Sequence, residues 1–244
     1  MPDFTDSVWT RPARTRTGQP TLSREQIVRS AIELLDTEGP AGLSMRRLGA
    51  RLGSGATSLY WHVATKDDLL ELAVDEVMGE IYVPEAGDAP WRVGVSVMAN
   101  GTRAMLLRHP WVIGLLGTRP TIGPNVLRMS DRIVALFSAA GFRGPDLSHA
   151  YSLVNAHVIG AATTEAAVAA AVRRSGQPAA ELRESLQPYM EKVAREHDAY
   201  ERWRQEDGVA EMNPEAAFAQ SFAFGLDRIL DGLELWLNSR DDKV

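Results

Sequence analysis

Apolar residues recur at three- and four-residue intervals along most of this chain, and no stretch alternates in the two-residue rhythm of a half-buried strand. The first run opens at Leu22-Ser23-Arg24-Glu25-Gln26-Ile27, where Ser23 and Gln26 have the spacing of a capping box and Leu22 staples onto Ile27. Ile27, Ala31, Leu34 and Leu35 share one face of the predicted helix, and Gly39-Pro40 stops it. Ser44 caps a second, short helix, with Leu43 before the cap and Leu48 and Leu52 on the buried face. Gly53 ends that helix where a left-handed residue is needed, Ser54 and Gly55 turn the chain, and a third helix runs to about Trp61 with Leu59 inward. Thr65 and Asp68 repeat the capping signature and start a fourth helix, expected to reach about Tyr82.

Pro84 to Pro90 is a break rich in Pro, Gly and acid, a candidate domain boundary. Beyond it the periodicity predicts helices over about 91–108, 111–116, 124–140 and 146–173, a broken helix across 179–206 and a last one over 214–238 that Asn213-Pro214-Glu215 opens. The expected fold is all-α, with a flexible arm at 1–21, a three-helix head at 22–66, a connecting helix at 67–83 and a helical body at 84–244.

Phe218, Phe222, Leu226, Ile229, Leu233 and Trp236 form one stripe of the last helix, while Phe224, Leu230, Leu235 and Leu237 lie off it. Two apolar sides need two partners. The helix from Asp146 is thin at Gly160-Ala161-Ala162-Thr163-Thr164, which permits close approach, so two helices from each of two copies can build an isologous four-helix bundle. Phe222, Leu226, Ile229 and Leu233 are the residues expected at that dimer surface.

Ser44 to Lys66 reads as a helix-turn-helix. The second helix of such a motif enters the major groove by its N-terminal end, where small and hydroxylated side chains approach base edges. Ala56, Thr57 and Ser58 stand there, and Arg46 and Arg47 on the preceding helix can reach base edges or phosphates. Tyr60, His62 and Lys66 follow at positions suited to phosphate. A plain surface hairpin has the same spacing, but the charge distribution favours DNA. The whole chain carries −6; residues 11–66 hold nine Lys or Arg against four acids, a local +5, and residues 67–244 carry −9. A basic head on an acidic body touches double-stranded DNA with one end only. Arg11, Arg14 and Arg16 in the arm are candidates for the minor groove, against the blander reading of a solvated tail.

A small-molecule pocket is expected inside the body, among the helices beginning near Trp91, Gly123 and Asp146. Its expected lining is Met98, Trp111, Leu115, Met129 and Phe142, with Thr118, Arg119, Asn155 and His157 as polar contacts. Plain core packing is the competing reading for each of them. The chain has no cysteine, so disulfides and thiolate chemistry are out. No membrane-length apolar run and no signal-peptide core occur, and a cytoplasmic protein with no membrane partner is expected. Five histidines show no metal-ligand spacing, Asp146 and His149 make a single D-x-x-H, and no nucleotide loop or nucleophile elbow occurs. No catalytic residue, metal or cofactor is therefore assigned.

The segment from Leu22 to about Val77, through A-I-E-L-L-D-T-E-G, G-L-S-M-R-R-L-G-A-R-L-G and T-S-L-Y-W-H-V-A-T-K-D-D-L-L, resembles the tetracycline-repressor family of bacterial transcription regulators. The resemblance implies a head whose third helix reads an operator and a fourth helix that carries the signal of a bound inducer. By position it implies base contacts from Arg46, Ala56, Thr57 and Ser58 and phosphate contacts from Ser44, Tyr60, His62 and Lys66. Met45 departs from the usual small hydroxyl residue, so one phosphate contact is missing. Weaker likeness at Leu115 to Pro120, at Ala140 to Phe142 and in the final helix points to the subgroup of the tetracycline repressor itself. There a histidine before L-G-T-R-P binds the magnesium of the drug complex; Leu115 replaces it here, so the inducer is not carried over. The expected function is a ligand-responsive regulator, a repressor that binds a near-palindromic operator as a homodimer and leaves it when a small, largely apolar inducer binds. Two alternatives remain: a helical small-molecule-binding protein or enzyme that has lost operator binding, and a DNA-binding protein that takes no ligand.

Overall fold

A computed structural model describes residues 7–11, 22–206 and 214–241, and no strand occurs among them. Ten α-helices follow in order: α1 (Arg24–Gly42), α2 (Met45–Arg51), α3 (Ala56–Tyr60), α4 (Lys66–Met78), α5 (Trp91–Arg108), α6 (Pro124–Ala139), α7 (Pro145–Ser175), α8 (Ala179–Ala194), α9 (Asp198–Arg204) and α10 (Pro214–Asp241). A 3-10 turn, Pro110–Leu115, joins α5 to the loop before α6. The all-α architecture read from the periodicity is the one observed.

Local chemistry fixes the starts of the head helices. Ser23 and Gln26 make the reciprocal bonds of a capping box on α1, and the Ser44 hydroxyl accepts the Arg47 N–H at the start of α2. The Thr65 hydroxyl accepts the Asp68 N–H and opens α4. Gly39 leaves helical geometry at φ 68° and breaks α1 ahead of a final turn containing Pro40. Gly53 is left-handed at φ 62°, as the turn between α2 and α3 requires. On α2, a Cβ on Gly49 would come within 2.8 Å of the Ser54 carbonyl, so the close α2–α3 approach depends on a bare backbone there.

One continuous core runs from Ile27 on α1 through Leu69 and Val77 on α4, Val95 and Leu106 on α5, Ile133 and Phe137 on α6 and Val154 on α7 to Leu230 on α10. Phe142, between α6 and α7, is the aromatic hub: Trp91 meets it edge-on at 5.9 Å, Phe137 at 5.6 Å, and Trp236 of α10 stacks on it at 5.7 Å. Arg92 of α5 reaches Asp231 and Glu234 of α10.

Two expectations are corrected here. α4 stops at Met78, not near Tyr82, because Ile81 and Val83 are buried on either side of an exposed Tyr82 in an extended segment. The first residues described, 7–11, are docked and do not form a free arm. Ser7 is buried with its hydroxyl donating to Glu71 on α4 at 2.5 Å, the Val8 N–H donates to the same carboxylate, and Arg11 pairs with Asp68. Arg11 is thereby directed at α4 and away from a minor groove; Arg14 and Arg16, like the cap at Asn213, lie outside the described residues.

Candidate functional site

α3 presents its polar face outward. Leu59 is fully buried beneath it, whereas Thr57 and Ser58 are exposed and Ala56 is partly so. Arg46 on α2 is exposed as well. Ala56, Thr57 and Ser58 are small enough to approach base edges, and Arg46 offers a guanidinium able to make a bidentate contact. The residues expected on phosphate fall into two groups. Tyr60 is exposed at the end of α3, and His62 is half-buried after it. Three others are engaged within the chain: the Ser44 hydroxyl caps α2, Lys66 Nζ donates to the Pro40 carbonyl at 2.7 Å, and Arg47 makes a fork of 2.5 and 2.6 Å to both oxygens of Glu38 and a further bond to the Gly42 carbonyl. Glu38 is the last residue of α1 before the break at Gly39, so folding brings to Arg47 an acid that sequence spacing did not pair with it. Arg51 is likewise paired, with Glu33 at 2.6 Å.

Trp61 was missed. It is 65 % exposed at the end of α3, next to Tyr60, and gives the head a large flat side chain with an N–H donor. Its signal was in the sequence: an inward Leu59 puts residue 61 about 200° around the helix, on the outer side.

The nine residues expected around one pocket are not brought together. Met98 and Trp111 are buried core, and the Trp111 indole donates to Asp36 of α1 at 2.7 Å. Leu115 packs partly buried against the core, and the Thr118 hydroxyl turns back to the Leu115 carbonyl. Arg119 pairs with Asp67 at the start of α4. His157 stacks on Phe222 with its Nε2 3.0 Å from the Phe222 carbonyl, so it belongs to the α7–α10 contact. Asn155 is half-buried on α7. Met129 borders a cavity of about 190 Å³ between the end of α4 and α6 that Arg128 and Arg132 also line. Phe142 lies instead at a groove of about 530 Å³ between α7 and α10, with His149, Leu153, Ile229, Leu233 and Trp236. A second groove, of about 520 Å³, runs between α5 and α10 past Val93, Val97 and Leu230.

The apolar stripe of α10 divides in a way that corrects the expected dimer surface. Phe222 and Leu226 are 3 % and 4 % exposed within this single chain, spent on its own core, with Arg103 5.0 Å above the Phe222 ring. Ile229 and Leu233 are partly open at the groove, and Phe224 and Leu235 are exposed. The hydrophobic period alone did not tell which of the two apolar sides faces inward.

Two family models match this arrangement. One, described as bacterial regulatory proteins of the tetR family, covers residues 27–73; the other, described as the tetracyclin repressor-like C-terminal domain, covers residues 83–237. The chain belongs to the tetR family. Its relatives are named for the same work. The HTH-type transcriptional repressor DrrR1 of Streptomyces coeruleorubidus is 36% identical over 94% of this chain and 83% of its own length. An HTH-type transcriptional regulator of Saccharopolyspora erythraea is 44% identical over 65% of this chain and 67% of its own. Among solved structures, the tetR-family protein ActR of Streptomyces coelicolor, crystallised in complex with actinorhodin, superposes with a TM-score of 0.72 at 28% identity, covering 88% of this chain and 96% of ActR. This tetR-family chain is thus a transcriptional repressor and not an enzyme, and no helix among its described residues is long and apolar enough to cross a membrane.

Proposed function

We propose that the chain works in the cytoplasm as a homodimer that represses transcription from a near-palindromic operator and releases it when a small, largely apolar inducer binds. The proposed parts are a DNA-binding head at 22–66, a connecting segment at 67–83 that is helical only as far as Met78, and a ligand-binding and dimerisation body from residue 84. The observation that carries this reading is the outward face of Arg46, Ala56, Thr57 and Ser58 over a buried Leu59, set on a body of opposite charge. A second copy fits the α7–α10 groove, where Leu153, Ile229, Leu233 and Trp236 leave an apolar surface that a matching helix pair would cover. Two heads on one two-fold axis then face two half-sites.

The inducer is proposed to enter among α5, α6 and α7. Met98, Met105 and Met129 lie buried there, and unbranched thioether side chains are the most readily rearranged part of a core. The complex of ActR with actinorhodin supports a small-molecule inducer for this chain. Leu115 has no donor atom for a metal, so the magnesium-bridged drug complex of the tetracycline repressor does not fit this chain. A gel shift on DNA from upstream of its own gene, followed by addition of polycyclic compounds with and without a chelator, tests the reading. Retention of the DNA at low micromolar protein and its loss on adding compound, unaffected by chelator, is the expected result. No shift on that DNA at low salt, or release that requires magnesium, would overturn it.

A further inference from the structure

His109 enters the 3-10 turn at the point where the head meets the body, and it is 3 % exposed. Each of its ring nitrogens faces a carboxylate from a different element. Nδ1 lies 2.7 Å from an oxygen of Asp36 on α1, and Nε2 lies 3.2 Å from an oxygen of Glu80, two residues past the end of α4. The same Asp36 oxygen accepts the Trp111 indole N–H at 2.7 Å, and the other Glu80 oxygen accepts Arg108 at 2.5 Å. One side chain of the body therefore holds both the first helix of the head and the exit of the connecting helix.

A neutral imidazole has one N–H and one lone pair, so it donates to one of these carboxylates and turns a lone pair towards the other. The doubly protonated ring donates to both. The charged groups facing it are Asp36 from α1, Glu80 after α4 and Arg108 from the end of α5, while Trp111 adds a donor that does not titrate. Two carboxylates against one guanidinium leave the cluster one positive charge short, and the imidazolium supplies it. A hydrogen bond to an ionised partner is roughly twice as strong as a neutral one, and only the doubly protonated ring makes two of them.

We infer that His109 is a proton-dependent clasp between head and body, complete when the ring carries two protons and half-made when it carries one. It is a positioning residue: buried between Asp36 and Glu80, it acts by fixing the angle at which α1 and α4 leave the body. Histidine is the side chain able to make this change of charge near neutral pH, and here the change would add or remove a bond to one of the two elements it holds. The inference concerns the joint alone and stands whatever the head binds.

The test uses the full-length protein without DNA or ligand. Nitrogen-15 shifts of the His109 ring report its protonation, and amide hydrogen exchange of α1 and the 3-10 turn, corrected for intrinsic rates, reports the joint. Wild type is expected to show a cationic His109 ring at pH 6 and a loss of protection at the joint on the order of tenfold by pH 8, the size of one charge-assisted bond. His109→Gln should show the weaker protection at both pH values. Should that variant fail to fold, Glu80→Gln serves in its place, since it leaves the Asp36 contact intact and should lose most of the pH-dependent part. A neutral ring at pH 6, or the same exchange profile in wild type and variants, would overturn the inference.

Discussion

The carboxylate of Asp75 occupies the space where a Cβ on Gly123 would stand, 2.3 Å from its own atoms. From there it accepts the Val126 N–H at 3.0 Å and the Asn125 N–H at 3.1 Å, so a residue in the middle of α4 caps the first turn of α6. Gly123→Ala is expected to push the carboxylate off those amides and to cost about 1–3 kcal/mol, measured by urea denaturation. Asp75→Asn keeps an acceptor oxygen and should cost less; a larger loss for Asn than for the Gly123 variant would mean that the cap does not run through this contact.

Arg47 and Lys66 separate structural cations from those aimed at DNA. Arg47 is forked onto Glu38, so Arg47→Ala is expected to leave the salt slope of DNA binding unchanged and to change stability by less than about 1 kcal/mol, the range of exposed ion pairs. Arg46→Ala and Thr57→Ala should instead relax the preference at particular base pairs by about 1–3 kcal/mol. Binding titrations at several salt concentrations distinguish these, and a reduced slope for Arg47→Ala would restore it to the phosphate contacts.

A charge introduced on the open side of the α7–α10 pair or on its buried side should give different failures. Leu153→Asp on α7 and Leu235→Asp on α10 lie at exposed positions and are expected to produce folded monomers by sedimentation. Leu226→Asp buries a carboxylate in the core and should unfold the chain, since a buried charge without a partner costs about 3–5 kcal/mol. Dimers that survive both exposed substitutions would move the interface to another face.

Truncation of residues 1–11 leaves the buried Glu71 carboxylate without the Ser7 hydroxyl and the Val8 N–H. The expected loss is about 1–3 kcal/mol, most of it recovered by Glu71→Leu in the truncated chain, because the apolar replacement removes the stranded charge. Equal losses with and without the second change would show that the segment contributes by packing alone.

Hydrogen bonding to Arg92 holds the Asp231 carboxyl below the usual range, with Arg228 adding to the effect. A depressed folded-state value means that the pair stabilises above the unfolded value of about 4 and is lost as pH falls below it. Asp231→Asn should therefore flatten the acid limb of the melting-temperature profile by slightly lowering the neutral-pH values, and leave the most acidic points unchanged.

The head was readable because its instructions are local. Ser23, Ser44, Thr65 and Gly53 act within four residues of themselves, and each does what its spacing implied. What the sequence hid was long-range pairing. Glu38 reaches Arg47 across nine residues, Glu71 reaches Ser7 across 64, and His109 reaches Asp36 across 73. Periodicity marks a residue as buried without naming its neighbour, which is why Trp111 and His157 looked like pocket lining and turned out to hold helices together. The two apolar sides of α10 were visible; which one the chain keeps for itself depends on the depth of α7 beside it.

α4 turns three carboxylates inward, Asp68, Glu71 and Asp75, over about 10 Å of helix. The first two hold the N-terminal segment, and the third holds α6. A sliding or rolling of α4 large enough to break one of these contacts strains the other two in the same stroke. Such a helix is held like a detent: any displacement of α4 would have to release the N-terminal segment and α6 together.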